Sequence, residues 1–264
     1  MNLFLDKINI KHNHIGSGNF APLVARPLSV LQKNMKEIEK QFRDKVKRSA
    51  IRMQIGGFRP SQSPKASCFG KVNFCIPGEP WPKVNGKSMW PLCQLNITEF
   101  PFRPPRLDDI EFITVFIGPE QLPNHKENGE GWCLRAYRNI KDLVPISGDK
   151  IDSPIKSFEM KPEVLEEDYP CWDDADSCPE ELENDYFDLF ANHSGFKIGG
   201  WPTLIQSEIF WAPLNKHPFN PDYVFQIDST EKGNWSWGDG GVGYFGRGTT
   251  SEGKDSWALS WQCY

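Results

Sequence analysis

One stretch of this sequence keeps a helical period, and nearly everything after it is written in short apolar runs broken by proline and glycine. That contrast constrains the fold more than any other feature. Val30, Met35, Ile38, Phe42, Val46 and Ala50 recur at mostly fourfold spacing, with Lys, Glu and Arg between them. Such spacing lines one face of an amphipathic helix, which must pack on something larger. Pro27 and Ser29 supply its start signal, and Gly56-Gly57 ends the pattern. Gly and Pro number 22 each, which implies many turns and few long helices. The apolar runs 72–76, 89–97, 110–118 and 132–137, separated by Pro and Gly, read as strands, and 110–118 is β-branched and aromatic with partial alternation. A short helix is expected over 179–190, and strand patterns return at Ile198, 223–227, 243–245 and 257–263. The expected fold class is α+β, with an N-terminal amphipathic helix beside β-rich structure.

The length of 264 residues suits one large domain or two packed halves, and 38% hydrophobic and 13% aromatic residues suffice for a sizeable core. No apolar run is long enough to cross a bilayer, and residues 1–11 lack the uninterrupted apolar core of a signal peptide. The expectation is a cytoplasmic protein with no membrane partner. Its seven cysteines are odd in number and scattered, which favours small buried thiols over a disulfide framework.

Landmarks recur in the same order in two stretches. Ile55-Gly56-Gly57-Phe58, then Trp90-Pro91-Leu92-Cys93-Gln94-Leu95-Asn96, then Val115-Phe116-Ile117-Gly118 form the first series. Ile198-Gly199-Gly200-Trp201, then Tyr223-Val224-Phe225-Gln226-Ile227-Asp228, then Gly243-Tyr244-Phe245-Gly246 form the second. The order predicts two diverged β-rich structural repeats, at about 51–160 and 195–264, behind an extension and helix over 1–50. A glutamine flanked by apolar strand residues is costly to bury unless both ends of its amide are bonded. Gln94 and Gln226 are therefore expected to bond backbone or each other, with Asn96 and Asp228 bonding local amides where their strands exit.

Lys197-Ile-Gly-Gly-Trp-Pro-Thr-Leu-Ile-Gln206 resembles the Gly-Gly/Gly-Tyr-Pro…Ile-Gln motif of the YwqG-like proteins, a family of unknown function. Phe225-Gln-Ile-Asp228, Trp237-Gly-Asp-Gly-Gly241 leading to Tyr244-Phe245, and Trp261-Gln262-Cys263 are also similar. In the first half Pro80-Trp81-Pro82, Gly86 and Pro91 to Asn96 resemble its Trp-Pro…Gly…Gln-Ile-Asn motif. The resemblance spans roughly residues 51 to 264 and implies an α+β fold with two repeats. Some relatives carry a Cys-x-x-Cys pair before the second Gln-Ile-Asp, where this chain has His217 to Tyr223 without cysteine. The resemblance brings no catalytic mechanism. It does imply a context, because members occur among immunity proteins that bind and block a toxin.

Charge is unevenly spread. Residues 163–188 hold 12 acids and no Lys or Arg, so the rest of this −5 chain carries a net of +7. Glu166, Glu167, Asp168, Trp172, Asp173, Asp174 and Asp176 are the expected partner-binding residues, a negative face with aromatic anchors for a basic toxin domain. Tyr169, Trp172, Tyr186 and Phe187 could equally dock the segment on its own core. Direct nucleic-acid binding is not expected at a pI near 5.6 without a basic aromatic stripe. Trp237-Gly-Asp-Gly-Gly241 reads as a turn, lacking the Lys-Ser/Thr of a phosphate loop, with Asp239 bonding turn amides. The cysteine pairs 68/75 and 171/178 enclose six residues each, too many for a zinc site, and neither a metal nor another cofactor is expected. The functional expectation is a non-catalytic binding protein, in its sharper form an immunity protein. The alternative is an enzyme whose pocket lies between the repeats, lined by Gln94, Asn96, Trp201, Gln226, Asp228, Trp237 and Asp239.

Overall fold

A computed structural model of the chain describes residues 28–146, 151–211 and 217–264. The Pro27 start signal and the Gly16-Ser17-Gly18-Asn19 turn lie outside the described residues. The fold is mixed α and β, mostly strands with few helices. Helix α1 spans Leu28–Val46, and Phe42 and Val46 are buried on it. Ala50, expected on the same helical face, instead sits in the first strand, β1, Arg48–Gln54. Strand partners on both sides of β1 override the helical spacing there, because two ladders outweigh weak local propensity.

The other main strands are β2 (Cys68–Phe69), β3 (Trp90–Asn96), β4 (Phe112–Ile117), β5 (Trp132–Tyr137), β6 (Phe158–Glu159) and β7 (Lys161–Asp168). They continue with β8 (Lys197–Gly199), β9 (Pro221–Asp228), β10 (Val242–Gly248) and β11 (Trp257–Gln262). They form two antiparallel sheets, β6-β2-β3-β4-β5 and β7-β1-β8-β9-β10-β11. The run 72–76 contributes only the two-residue strand Phe74–Cys75, and 179–190 splits into a 3-10 helix, Glu180–Asp185, and one α turn, Tyr186–Leu189.

Both sheets bury one face in a shared core. On β4, Ile113, Val115 and Ile117 point into it, while Phe116 turns the other way onto Val72 and Met89. From the other sheet come Ile51, Ile198, Phe225, Ile227 and Phe245. Phe225 and Phe245 stack at 4.5 Å between ring centroids, and Trp132 of β5 meets Phe245 edge-on at 6.1 Å. The junction between the sheets is thus filled by apolar side chains.

The registers of the two sheets correspond. Gln94 pairs with Cys68 and Thr114, and the β3–β4 ladder shifts between Pro91 and Cys93. Gln226 pairs with Lys197 and Tyr244, and the β9–β10 ladder shifts between Tyr223 and Phe225. Each bulge lies just before its glutamine. In this register Gly199 and Gly70 occupy matching places, each at positive φ directly after the two paired residues of the short strand, whereas Gly56 and Gly57 do not. Each sheet also takes a strand from the chain preceding the other sheet's core: β1 flanks β8, and β6 flanks β2.

Candidate functional site

The acidic segment begins as strand rather than loop. Its residues 163–168 lie on β7, whose Val164 and Leu165 pair with Ile51 and Ala50. Asp168, at the end of β7, is fully buried and therefore unavailable to a partner. Its Oδ2 accepts from Lys197 Nζ at 2.9 Å and from Trp201 N at 2.7 Å, and its Oδ1 from His193 N at 3.0 Å. Lys197 is 1% exposed, and burial pushes its pKa down against the opposing pull of Asp168. A Cβ at Gly200 would stand 2.4 Å from Asp168 Oδ2, so the carboxylate fits only because that residue is glycine. The pair ties the exit of β7 to the start of β8, a structural task that leaves no open position for chemistry.

Glu167 is engaged by the helix. Its carboxylate accepts from Tyr169 Oη at 2.9 Å and lies within 3.7 Å of Arg43 and Lys47. Arg43 in turn lies over the Tyr169 and Phe190 rings. Tyr169, Ala175, Leu182, Tyr186 and Phe190 pack with Phe42 and Val46 into a second apolar cluster. Two of the segment's four aromatics, Tyr169 and Tyr186, therefore dock it on its own chain. Glu166, Asp173 and Asp176 are exposed, while Asp174 is half-buried and burial raises its pKa. Trp172 and Phe187 keep 41% and 77% of their surface in solvent, both edge-on to Tyr186.

The expected inter-repeat residues do not converge on a pocket. Gln94 and Gln226 are fully buried and bond backbone, not each other. Gln94 accepts from Asn73 N at 2.8 Å and donates to Ala66 O at 2.7 Å. Gln226 accepts from Thr203 N at 2.8 Å and donates to Gly195 O at 3.1 Å. Each amide ties the chain on either side of its sheet's short strand to the central strand. Asn96 accepts from Thr98 N, as expected of a strand exit, whereas Asp228 accepts from the distant Gly195 N at 2.7 Å. Trp237 is fully buried in the shared core, and Trp201 donates through Nε1 to Val46 O at 2.7 Å. Asp239 is exposed, and the turn around it is held by Ser236 and Ser229.

Residues 67–246 match a family described as Domain of unknown function (DUF1963). The chain belongs to the DUF1963 family. No curated protein matches it. The DUF1963 span contains both glutamine strands and the Asp168–Lys197 pair, but neither α1 nor β1. The contacts between α1 and the acidic segment thus join DUF1963 residues to a part of the chain outside the match.

Within the DUF1963 span the thiols are poor nucleophiles. Burial pushes Cys68 up to about 11 and Cys93 further, so both stay protonated near neutrality. Among the described residues, no group of three or more His, Cys, Asp or Glu could hold a metal ion. Burial raises Asp228 to about 6 against the hydrogen bonds from Gly195 and Gln226. An unfolded aspartate titrates near about 4. The folded chain therefore binds this proton more tightly, and the associated stabilisation is full below about pH 4 and lost as pH rises through about 6. The side-chain carboxyl resonance of Asp228 is expected to titrate with a midpoint near about 6 in the folded protein. A midpoint at the unfolded value would contradict this account.

A cavity of about 710 Å³ lies elsewhere, where the loop between β3 and β4 meets one end of the larger sheet. Arg48, Arg103 and Arg106 line it with Gly199, Gly200 and Tyr223. Sequence reasoning missed these arginines. The available signal was Phe102-Arg-Pro-Pro-Arg106, two cations held in a stiff proline loop, but nothing local brings Arg48 to them.

Proposed function

We propose that this protein is a non-catalytic binding protein that holds a basic protein partner on its acidic segment. The observation that carries the reading is the pair of exposed rings, Trp172 and Phe187, beside Tyr186 on a segment without a base. Exposed Asp173, Asp176, Glu180, Glu181, Glu183 and Asp188 belong to the same segment. Apolar anchors within a charged surface suit a protein interface, where aromatics supply affinity and charges supply steering. Glu167 and Asp168 are excluded from this face, since the fold uses both.

In its sharper form the reading is an immunity protein that neutralises a cognate toxin in a stoichiometric complex in the cytoplasm. The YwqG-like resemblance supports that form, and so do seven free cysteines, which suit a reducing compartment. We further infer that the two sheets are diverged copies of one unit. Their matching registers, bulges and buried glutamines support the duplication.

The test is capture of a one-to-one complex from the host, followed by co-expression of the partner with and without this chain. Lysines at Asp173, Asp176, Glu180 and Glu181, combined with Phe187→Ala, are expected to weaken the complex at least about tenfold and abolish growth protection. A variant that binds and protects as well as the parent would overturn the reading.

A further inference from the structure

The cavity between the β3–β4 loop and the larger sheet gathers three arginines against one lining carboxylate, with Asp174 and Asp168 acting on Arg48 from outside the lining. Arg48 enters from β1, and Arg103 and Arg106 from the loop. Among the described residues none of the three makes an ion pair, and their bonds go to backbone carbonyls. Arg48 reaches Gly200 O at 3.4 Å, Arg103 reaches Ile110 O at 3.0 Å, and Arg106 reaches the carbonyls of Arg247 and Gly248. Those contacts orient the guanidinium groups without cancelling their charge. The Arg48 guanidinium also lies 3.4 Å from the centre of the Trp201 ring, which fixes its plane. Arg106 has a buried Nε with no partner, and its backbone is held at a φ of 70°. A buried donor left unpaired is costly, and a left-handed non-glycine residue adds strain. An acceptor in the cavity that reached Nε would offset the first of these costs.

The single lining carboxylate is Asp222, so the cavity's side chains carry a net charge of two positive. Three forked donors with that balance suit a phosphate monoester, which carries about −1.5 to −2 near pH 7, better than one carboxylate. The volume falls in the usual range for small-molecule sites. Phe102, Pro105 and Tyr223 supply apolar wall for the body of such a molecule, and Ser49 adds a hydroxyl. We infer that this cavity binds a small organic phosphate monoester, its phosphate held by Arg48, Arg103 and Arg106 and its body against Phe102 and Tyr223. The site shares no residue with the acidic face, so its failure would leave that reading untouched.

Phenyl phosphate is a suitable probe, followed by calorimetry and by amide shifts around residues 48, 103 and 222. A Kd of about 1 mM or tighter is expected, with benzoate at least about tenfold weaker. Arg48→Gln and Arg103→Gln should each weaken binding at least about fivefold while thermal unfolding confirms that they fold. Asp222→Asn is exposed, removes the opposing charge, and should tighten binding. That gain is one that a merely structural arginine cluster would not produce. No binding at about 10 mM, unchanged affinity in both arginine variants, or weaker binding by Asp222→Asn would each overturn the inference.

Discussion

Replacing Asp168 by alanine is expected to destabilise the protein by about 3–5 kcal/mol. The change strands the ammonium of Lys197, 1% exposed, in the interior without its counter-ion. It also orphans the amides of His193 and Trp201, each at a further cost of about 1–3 kcal/mol where water cannot replace the bond. Relaxation and a lowered Lys197 pKa will absorb part of this, so the sum is an upper bound. Lys197→Met should cost less, because the carboxylate keeps both backbone donors. The double variant should fall below the additive loss, since the two residues share one interaction. Urea unfolding of the four proteins measures this directly. An Asp168→Ala loss under about 1 kcal/mol would mean that the pair does not clamp β7 to β8.

Trp237→Ala is expected to cost about 3–5 kcal/mol, as for other large core aromatics. Trp237 is fully buried, edge-on to Trp235 at 5.1 Å and to Phe245 at 6.4 Å. A Cβ at Gly243 would come within 2.4 Å of its ring, so the indole occupies the space above β10 that this glycine leaves. Trp237→Phe should lose much less, because Nε1 has no hydrogen-bond partner to forfeit. Thermal and urea unfolding distinguish the readings. A pocket-lining tryptophan would tolerate alanine with little change in midpoint, whereas a core tryptophan will not.

Much of the β framework was readable from local pattern. The run 132–137 coincides with β5, and the runs 89–97 and 110–118 contain β3 and β4. The β-branched and aromatic residues of β4 are what a strand buried on both faces requires. The main strands missed were β1, β2, β6 and β7. Sheet edges tolerate charge, so Lys-Pro-Glu-Val-Leu-Glu-Glu-Asp carries little strand signal although it forms β7. β1 was hidden because its alanine extends the helical spacing of α1 by one more step.

The sequence by itself determined the α+β class, the need for both glutamine amides to be bonded, and the acidity of residues 163–188. Each follows from residue type and short-range spacing, which survive any arrangement of the distant chain. Only the tertiary structure decided which acids face water. Nothing local marks Asp168 as the buried acid of Glu166-Glu167-Asp168, and it is buried because Lys197 of β8 and Gly200 and Trp201 just after it arrive 29 or more residues later. The gathering of Arg48, Arg103 and Arg106 was likewise decided by strand pairing, because electrostatic fields add in space and not along the sequence.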